Sequence, residues 1–312
     1  MDNRGAPLGI AFRHFYPNFN PNAFWLPVFS YSLDRDVYVT TEKRADIVVT
    51  SVFESFRDIW KRRLFTRSRL PKTPSRSVKA REGARQIWLT GENLRPPVED
   101  YDLTISFDID SYGGSNLYFP VAFEFLYWPD YGALGQEPLR TTYGVPRLDA
   151  RTSSRPRNHQ VSDRPNFACA FIGNPEPTRL RAISELRRRG EVEVFGSAFG
   201  RPVPSKADVA KDFRFMLAFE NDVFPGYVSE KVLDAYACGC IPLWWGDDAA
   251  GLINSSAMVN AHDFRTLDGF ADYVAELDSH PETIDQMASL PLFKRTPTLD
   301  GLVQALRNLF PS

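Results

Sequence analysis

The sequence predicts an α/β protein of two domains, and three features support this fold class. First, the stretch 213–246 reads as a buried strand, a loop, a helix and a second buried strand, which is the pattern of a parallel crossover. Second, apolar strand-like runs alternate with a helical pattern in the first half of the chain as well. Third, 312 residues are enough for two domains of ordinary size, each with its own core.

The first half of the chain begins with a strand and a helix. Leu8 to Phe12 is a short apolar strand candidate, and a helix is predicted from about Ala23 to Leu33. Runs rich in β-branched and apolar residues predict the strands that follow. These runs are Val37 to Thr40, Ile47 to Ser51, Ile87 to Thr90, and a strand with its turn in Asp102 to Asp110.

The second half repeats the alternation of strands and helices. An amphipathic helix is predicted over Arg179 to Arg189, with Leu180, Ile183 and Leu186 on one face. The other predicted elements are strands at Phe167 to Ile172, Glu191 to Phe195 and Ala257 to Asn260, a turn at His262-Asp263, and helices at Phe270 to Leu277 and Leu299 to Phe310.

A change of composition divides the chain into domains. Between Val145 and Asn166 the residues Arg, Ser, Asn and Pro dominate and the apolar periodicity lapses, which is typical of an interdomain linker. We therefore predict a first domain at residues 1–150 and a second at 151–298. A final helix at 299–312 is expected to pack back on the first domain.

The central unit of the second domain has clear boundaries. Phe213 to Phe219 is a short and nearly continuous apolar run, as in a strand covered on both faces. Ser229 is a predicted N-cap, because its hydroxyl can accept a hydrogen bond from a free N–H in the first helical turn. Gly239 suits the left-handed position that ends a helix, and Ile241 to Trp245 forms the next strand.

Polar residues concentrate where this strand ends and the helix begins: Glu220, Asn221, Tyr227, Ser229, Glu230 and Lys231. Open α/β sheets bind ligands at that edge, and a helix N-terminus favours an anion such as phosphate. A lysine at position 231 opposes the helix dipole unless an anion binds there. Two interpretations are open at this point, a phosphate site and an ordinary crossover with solvated charges.

The segment AFENDVFPGYVSEKVLDAYACGCIPLWWG (218–246) resembles the donor-binding motif of the α-1,3/4-fucosyltransferases, inverting enzymes that use GDP-fucose. The likeness covers the FEN triplet, the YVSEK segment, DAY in the helix and the IPLWWG strand. WLTGEN (88–93) and VNAHDF (259–264) also match bacterial members in order and approximate distance. The resemblance extends from about Ile87 to about Phe270.

This resemblance implies a GT-B type fold, in which two Rossmann-like domains face a cleft. It implies that Glu92 is the general base, since a single displacement needs a carboxylate to deprotonate the acceptor hydroxyl. Asp102, Asp108 and Asp110 are competing carboxylates nearby. For the donor it implies ribose near Glu230, phosphates near Lys231 and the helix start, and sugar or nucleotide contacts from Glu220, Asn221, Tyr227 and Ser229.

Two further site assignments depend on loops. Arg201 follows a short glycine-containing stretch that resembles the diphosphate-contacting segment of the family, although extra residues are inserted here. The alternative is an exposed loop arginine. His14, Phe15 and Tyr16 open an aromatic loop after the first strand and are predicted acceptor contacts, since sugar faces pack on aromatic rings. Core packing is the other interpretation of these aromatic residues.

Composition excludes several other functions. The net charge of −2, without a matching fold module, gives no indication of nucleic-acid binding. The three cysteines, Cys169, Cys238 and Cys240, lack zinc-site spacing and are interpreted as buried thiols. Asp108-Ile109-Asp110 has the spacing of a metal-binding pair, but it follows a strand that the family matches without metal. We expect no metal and no cofactor, with GDP-fucose as a substrate.

A basic stretch from Arg57 to Arg85 has three interpretations: a solvated helical face, a mobile loop, or a peripheral contact with an anionic membrane. No apolar run approaches the roughly 20 residues that span a bilayer, and there is no secretory leader. Animal relatives carry a membrane anchor, so the chain resembles the bacterial type. We expect a cytoplasmic enzyme, with possible contact to the inner membrane face.

The expected function is fucosyl transfer from GDP-fucose to a hydroxyl of an oligosaccharide or glycoconjugate. The family indicates α-1,3 linkage to GlcNAc of N-acetyllactosamine-type glycans. Two alternatives stay open. One is a related transferase that uses another nucleotide sugar, and the other is an inactive module that binds a sugar nucleotide or a glycan. Glu92 discriminates between enzyme and binding module, because a module needs no base there.

Overall fold

The computed structural model describes residues 5–53, 76–136, 139–248 and 250–310. Its contacts divide the chain into two compact units. The N-terminal unit contains Met1–Val121, Pro129–Glu137 and Thr298–Ser312, and the C-terminal unit contains Ala122–Trp128 and Pro138–Pro297. Each unit has its own parallel sheet, which confirms the predicted α/β class.

The N-terminal sheet has the strand order β2-β1-β3-β4-β5-β6, and all of its pairs are parallel. Because the strands are parallel, their carboxyl ends lie along one edge of the sheet. β3 is buried along its whole length, as its continuous β-branched sequence predicts. The strands are β1 (Leu8–Arg13), β2 (Val37–Val39), β3 (Ile47–Thr50), β4 (Arg85–Leu89), β5 (Leu103–Ser106) and β6 (Asn116–Tyr118).

The C-terminal sheet has the order β11-β10-β9-β7-β8 and is also parallel. From β7 the chain moves outward to β8 and then returns to the other side of β7 to form β9. The order therefore reverses between β7 and β9, which is where open α/β sheets bind ligands. The strands are β7 (Asn166–Phe171), β8 (Val192–Phe195), β9 (Phe213–Phe219), β10 (Ile241–Trp245) and β11 (Val259–Asn260).

The described helices are α1 (Trp25–Leu33), α2 (Pro177–Leu186), α3 (Lys206–Ala210), α4 (Glu230–Ala237), α5 (Leu267–Asp278), α6 (Pro281–Ser289) and α7 (Asp300–Asn308). In the C-terminal unit, α2 and α5 pack together, while α4 packs against β9 and β10. The core of this unit combines the inward side chains of the sheet with the apolar faces of α2 and α5, including Leu186, Phe215, Leu243 and Phe270.

The last helix belongs to the N-terminal unit. α7 packs against α1, and the side chain of Arg307 donates a hydrogen bond from Nε to the carbonyl of Ser32 at 2.8 Å. Tyr131 fixes the start of α7, since its hydroxyl donates to Asp300 at 3.0 Å and accepts from the backbone N–H of Leu299 at 3.0 Å.

Two helices were not predicted from the sequence. α3 is a single short turn that Ser205 caps by accepting a hydrogen bond from the Asp208 N–H. α6 has only two buried residues, Ile284 and Ala288, so its apolar periodicity is weak. Its start is marked by Pro281, which suits the first turn because it has no N–H to satisfy.

The segment 145–166 is tied to the C-terminal unit by side-chain hydrogen bonds. Arg157 donates to the carbonyls of Ala288 and Tyr236, each at 2.9 Å. The ring Nε2 of His159 lies 2.8 Å from the carbonyl oxygen of Gly239, the residue whose positive φ of 77° ends α4. These contacts fix the polar segment on the end of α4.

Most of the basic stretch 57–85 lies outside the described residues. Two arginines in its described part form ion pairs, Arg76 with Asp102 at 2.9 Å and Arg81 with Asp46. Within the described ranges, no helix is both long and apolar enough to cross a lipid bilayer.

Candidate functional site

A cleft of about 540 Å³ opens at the carboxyl edge of the C-terminal sheet. It lies beside the ends of β7, β8 and β9 and the first turns of α4, and so occupies the switch point between β7 and β9. Its volume is in the range of small-ligand sites. The lining side chains are Tyr143, Phe171, Ile172, Asn174, Arg179, Ser197, Pro202, Val203, Lys206, Met216, Leu217, Phe219, Asn221, Glu230, Lys231 and Asp234.

The start of α4 is organised by a buried carboxylate. Ser229 caps the helix as predicted, with its Oγ accepting from the Lys231 N–H. Glu220 is only 1% exposed, and its carboxylate accepts hydrogen bonds from the backbone N–H and the hydroxyl of Ser229. The indole Nε1 of Trp244 also lies 3.4 Å from Glu220 Oε1. Glu220 therefore fixes the position of the Ser229 cap through these hydrogen bonds and is not one of the residues that line the cleft.

Lys231 points its ammonium into this cluster. Its Nζ lies 2.9 Å from Ser229 Oγ and 3.4 Å from both Glu220 Oε2 and Glu230 Oε1. Burial alone would lower the pKa of Lys231, but the two carboxylates raise it above the ordinary value. Burial would likewise raise the pKa of Glu230, whereas Lys231 and Lys206 hold it below the ordinary value. Both side chains are therefore charged at neutral pH.

Arg179 is a site residue that the sequence analysis missed. It is 5% exposed and joins the loops after β7 and β9. Its guanidinium donates to the carbonyl of Phe219 at 2.8 and 3.1 Å, to the carbonyl of Asn174 at 3.0 Å and to Asn221 Oδ1 at 2.6 Å. Burial lowers the pKa of the Arg179 guanidinium. The ordinary pKa of arginine is so high that the guanidinium nevertheless stays charged at neutral pH.

A sequence signal for Arg179 exists in the helical register. Arg179 precedes Ile183 by four residues and Leu186 by seven, so all three lie on one stripe of α2. The prediction that Leu180 belongs to this buried face is wrong, because Leu180 is 39% exposed. An arginine on the buried stripe of an amphipathic helix indicates a built polar site.

Arg201 lies in a different environment from the one predicted. Its guanidinium pairs with Glu193 at 2.9 Å and lies over the ring of Phe195, 4.4 Å from the centroid. Arg201 is half-exposed and is not among the cleft-lining residues that the structure describes. Its backbone closes the loop, since the Gly196 N–H donates to the Arg201 carbonyl at 2.7 Å.

The remaining predicted donor residues divide into two groups. Asn221 and Glu230 line the cleft directly. Tyr227 is 2% exposed and lies in the loop after Gly226, whose φ of +84° is a glycine conformation. The structure therefore brings Asn221, Glu230 and Lys231 together at the cleft, with Glu220, Ser229 and Tyr227 supporting the loop and helix start.

In the N-terminal unit, Glu92 lies just beyond the carboxyl end of β4. Its N–H donates to Thr90 Oγ1 at 2.9 Å and its carbonyl accepts from the Leu94 N–H at 2.7 Å, so the turn is well fixed. Gly91 permits this turn to pass close to its neighbour, because an added Cβ would lie 2.7 Å from Val121 Cγ2. Glu92 is half-buried, at the edge where the parallel strands of this unit end.

The competing carboxylates of this unit are engaged in structural contacts. Asp102 accepts from Arg76 at 2.9 Å and from the Gln86 N–H at 2.7 Å. Asp108 pairs with Arg95 and accepts from the Tyr112 hydroxyl, each at 2.8 Å. Although burial raises the pKa of Asp108, these and a backbone hydrogen bond hold it below the ordinary value. Asp110 in turn accepts from the Tyr112 N–H at 2.8 Å.

The predicted acceptor loop follows β1 in the same unit. His14 has a φ of +58°, and its Nε2 lies 2.9 Å from Arg13 Nη2. Phe15 stacks on Phe19 with a centroid distance of 3.9 Å, so it packs within the loop. Tyr16 is 46% exposed and meets Phe19 edge-on. Of the three predicted contacts, Tyr16 therefore presents the most surface.

Residues 161–287 match the family model described as glycosyltransferase family 10 (fucosyltransferase), C-terminal part. Among curated proteins, the chain is 27% identical over 263 residues to an alpha-(1,3)-fucosyltransferase of Helicobacter pylori, covering 77% of this chain and 53% of that protein. It is 27% identical over 143 residues to 4-galactosyl-N-acetylglucosaminide 3-alpha-L-fucosyltransferase 9 of Mus musculus, covering 44% of this chain and 40% of the relative. The chain thus spans about half the length of these relatives or less.

Solved structures show the same fold. A crystal structure of alpha1,3-fucosyltransferase with GDP-fucose superimposes with a TM-score of 0.70 at 20% identity, covering 100% of this chain and 93% of that chain. A more distant likeness is Anabaena HepE in complex with UDP-glucose, with a TM-score of 0.52 at 10% identity, covering 97% of this chain and 99% of that chain. The GT-B type of two-sheet α/β fold predicted from the resemblance is therefore confirmed.

The matched residues 161–287 include the cleft from β7 to α4, with Arg179, Asn221, Glu230 and Lys231. The family expected from the FEN and YVSEK segments is thereby confirmed by the sequence comparisons and by the fold. Residues 161–287 therefore resemble the C-terminal part of glycosyltransferase family 10, the fucosyltransferase family.

Proposed function

We propose that this protein transfers L-fucose from GDP-fucose to a hydroxyl of a glycan, with inversion at the anomeric carbon. The finer proposal is an α-1,3 linkage to GlcNAc of N-acetyllactosamine-type acceptors. One observation carries the proposal: a cleft at the sheet switch point that contains a buried arginine, a lysine at a capped helix start and a charged glutamate, all within the family-matched region.

The proposed position of the diphosphate follows from the charges. Lys231 and Arg179 supply two cations, and the first turn of α4 supplies N–H groups and the positive end of its dipole. As the bond between the anomeric carbon and the phosphate oxygen breaks, negative charge grows on the GDP leaving group. Fixed cations and dipoles aimed there stabilise the transition state more than the ground state. This stabilisation needs no metal in the proposed mechanism.

The proposed ribose and sugar contacts use the rest of the cleft. Glu230 is partly buried and ionised, so its carboxylate can accept hydrogen bonds from two ribose hydroxyls. Asn221 accepts a hydrogen bond from Arg179 at its Oδ1. This bond fixes the orientation of the Asn221 amide, and its N–H groups stay available to donate to a ligand. We assign Asn221 and Tyr227 to the orientation of fucose and nucleotide, and Glu220 and Ser229 to holding Lys231 in place.

Glu92 is the proposed general base. The acceptor oxygen attacks the anomeric carbon, its proton passes to the Glu92 carboxylate, and GDP leaves with the electron pair of the broken bond. Support comes from the WLTGEN resemblance and from the ion pairs of Asp102 with Arg76 and of Asp108 with Arg95, which already occupy these two carboxylates. His14, Phe15 and Tyr16 are the proposed acceptor contacts.

A donor screen tests the proposal. Purified protein is incubated with GDP-fucose, GDP-mannose, UDP-glucose and UDP-galactose and a panel of glycan acceptors, and nucleotide release is measured. We expect release of GDP from GDP-fucose only, and with an N-acetyllactosamine-type acceptor. Turnover of a UDP-sugar in place of GDP-fucose would overturn the donor assignment.

The variant Glu92→Gln separates an enzyme from a binding module. We expect it to abolish turnover and to leave GDP affinity unchanged, because the amide keeps the shape of the side chain but accepts no proton. Asp102→Asn is the matched control, since Asp102 is a carboxylate of the same unit that is already ion-paired. Full activity in Glu92→Gln would refute the base assignment.

The basic stretch from Arg57 to Arg85 is the proposed site of peripheral contact with the inner face of the membrane. Its charge supports this proposal, since clustered basic residues bind anionic lipid surfaces. Sedimentation with vesicles that contain anionic lipid tests it, and neutral vesicles are the control. Equal recovery of the protein with both vesicle types would overturn it.

A further inference from the structure

The cleft contains an ion pair that the proposed reaction does not use. Asp234 lies four residues after Glu230, so both carboxylates face the cleft from the same side of α4. Asp234 is 5% exposed, and Lys206 Nζ lies 2.6 Å from its Oδ2. The other carboxylate oxygen, Oδ1, accepts no hydrogen bond from any residue in the described parts of the chain.

This pair is costly to place inside the protein. Burial raises the pKa of Asp234 and disfavours its charged form, and Lys206 offsets that effect. Its neighbours Leu233 and Ala235 on α4 are buried apolar residues. Two apolar side chains of similar volume generally stabilise a fold as well as a buried ion pair does. The donors and acceptors of this pair therefore point to recognition of a ligand.

The side chains around Lys206 and Asp234 suit a flat ring with apolar faces. Met216 and Leu217 come from the middle of β9, and Pro202 and Val203 from the segment before α3. The phosphate-binding end of the cleft, in contrast, lies beyond the strand ends. Asp234 is one helical turn, about 5–6 Å, along α4 from that end. A nucleoside diphosphate with its phosphates at Lys231 would extend its base toward this apolar region.

An exposed aromatic ring stands at the same end. Tyr143 lines the cleft and is 61% exposed, and Lys206 Nζ lies 5.1 Å from its ring centroid. The backbone holds this ring close, since the Lys206 N–H donates to the Tyr143 carbonyl at 2.8 Å. The next residue, Gly144, has a φ of +72°, and an added Cβ there would collide with Ser205. Aromatic rings of this kind stack on nucleobases.

We propose that Lys206 and Asp234 recognise the hydrogen-bonding edge of guanine while Tyr143 covers the face of the base. This inference rests on the proposed function, because it assumes that the cleft binds a nucleoside diphosphate. Guanine presents two adjacent donors, N1–H and the 2-amino group, beside one acceptor, O6. A carboxylate next to an ammonium offers the complementary set. Adenine and uracil do not present this pattern, so the pair selects the guanine nucleotide.

Equilibrium binding of nucleoside diphosphates tests the proposal. Isothermal titration with GDP, inosine diphosphate, xanthosine diphosphate and UDP is compared between the natural protein and Asp234→Asn. Loss of the charged two-donor contact should weaken GDP binding by roughly 5- to 150-fold. The amide of asparagine can donate to the 2-oxo group of xanthine, so the ratio of xanthosine diphosphate to GDP affinity should rise. A rise in affinity for one ligand cannot result from misfolding.

Lys206→Met provides a second, distinct pattern. It removes the donor to O6, which GDP and inosine diphosphate share, so both should lose affinity by the same factor. Asp278→Asn is the matched control, because Asp278 forms a partly buried ion pair with Arg214 at 2.5 Å elsewhere in this unit. That control should leave the ranking of the four nucleotides unchanged.

The outcomes separate this inference from the proposed function. If the natural protein prefers UDP to GDP, the donor assignment itself fails. If it prefers GDP but Asp234→Asn keeps the natural ranking of GDP, inosine and xanthosine diphosphates, the recognition role of the pair is refuted and the donor assignment stands.

Discussion

Replacement of Arg179 by methionine gives the sharpest test of how the site is built. The substitution removes the only charged group that bonds, among the described residues, to the carbonyls of both Phe219 and Asn174. Each buried acceptor that loses its donor costs about 1–3 kcal/mol. Since these losses share one network and are not additive, we expect a total of about 3–5 kcal/mol for the acceptors that lose their donor.

This loss should lower the Tm of the C-terminal unit by roughly 6–20 °C. In a unit of this size, each kcal/mol of lost stability lowers the Tm by about 2–4 °C. Differential scanning fluorimetry measures it. Arg181→Met is the matched control, because Arg181 is exposed on the same helix and should change Tm very little. Arg179→Lys keeps the charge but not the planar fork, so it should recover stability only in part.

Binding of GDP by the same variants distinguishes the two candidate arginines. Arg201 forms a half-exposed pair with Glu193, so Arg201→Met should cost at most about 1 kcal/mol of stability. If Arg201→Met abolishes GDP binding while Arg179→Met, measured below its Tm, binds GDP normally, the reasoning that places the diphosphate at Arg179 is refuted.

Four further predictions follow from the geometry. Lys231→Met should lower kcat by roughly 10²–10³-fold, because it removes the cation that we propose stabilises the leaving group; single-turnover kinetics measure this, and a loss confined to KM would contradict it. Gly196→Ala should lower the free energy of unfolding by more than Gly200→Ala in a urea titration, since both have positive φ but only the Cβ at 196 would lie 2.3 Å from the Ile172 carbonyl oxygen. Burial lowers the pKa of His159, so protonation favours the unfolded chain and stability should fall as the pH drops below about 6.5; His159→Gln should remove that part of the slope, and an unchanged slope would exclude His159 as its source. Activity should persist in EDTA, and a complete loss that Mg²⁺ or Mn²⁺ restores would disprove the metal-independent mechanism.

The strands at the centre of the C-terminal sheet could be predicted residue by residue. β9 and β10 have the bounds read from the sequence, 213–219 and 241–245. Both strands are largely buried, so their apolar runs are nearly continuous and end sharply at Glu220 and Gly246. The N-cap at Ser229 was predictable for a similar reason, since its bond to the Lys231 N–H depends only on neighbouring residues.

The helices were harder to predict where their burial is slight. α6 buries only two side chains, so its sequence carries little apolar periodicity, and α3 is too short to show any. The helix α2 was predicted, but its buried stripe was misassigned by one residue. Apolar periodicity favours Leu180, whereas the carbonyls at the ends of β7 and β9 need a donor from Arg179.

Part of the site depends on pairings that no local pattern contains. Arg201 pairs with Glu193, which lies on β8. The path of the loop between them brings the two side chains together, and the local sequence does not reveal that path. The pair between Lys206 and Asp234 likewise joins residues 28 positions apart. The base role of Glu92 stays a prediction from the WLTGEN resemblance.

The membership of α7 in the N-terminal unit affects the order of events during synthesis. All of the C-terminal unit has emerged from the ribosome once residue 297 is free, whereas the N-terminal unit still lacks the helix that covers α1. The helix α7, whose buried residues include Leu302 and Leu306, has to arrive before its contacts with α1 can form. The part of the chain made first is therefore the part completed last, and its exposed apolar surface needs protection in the interval.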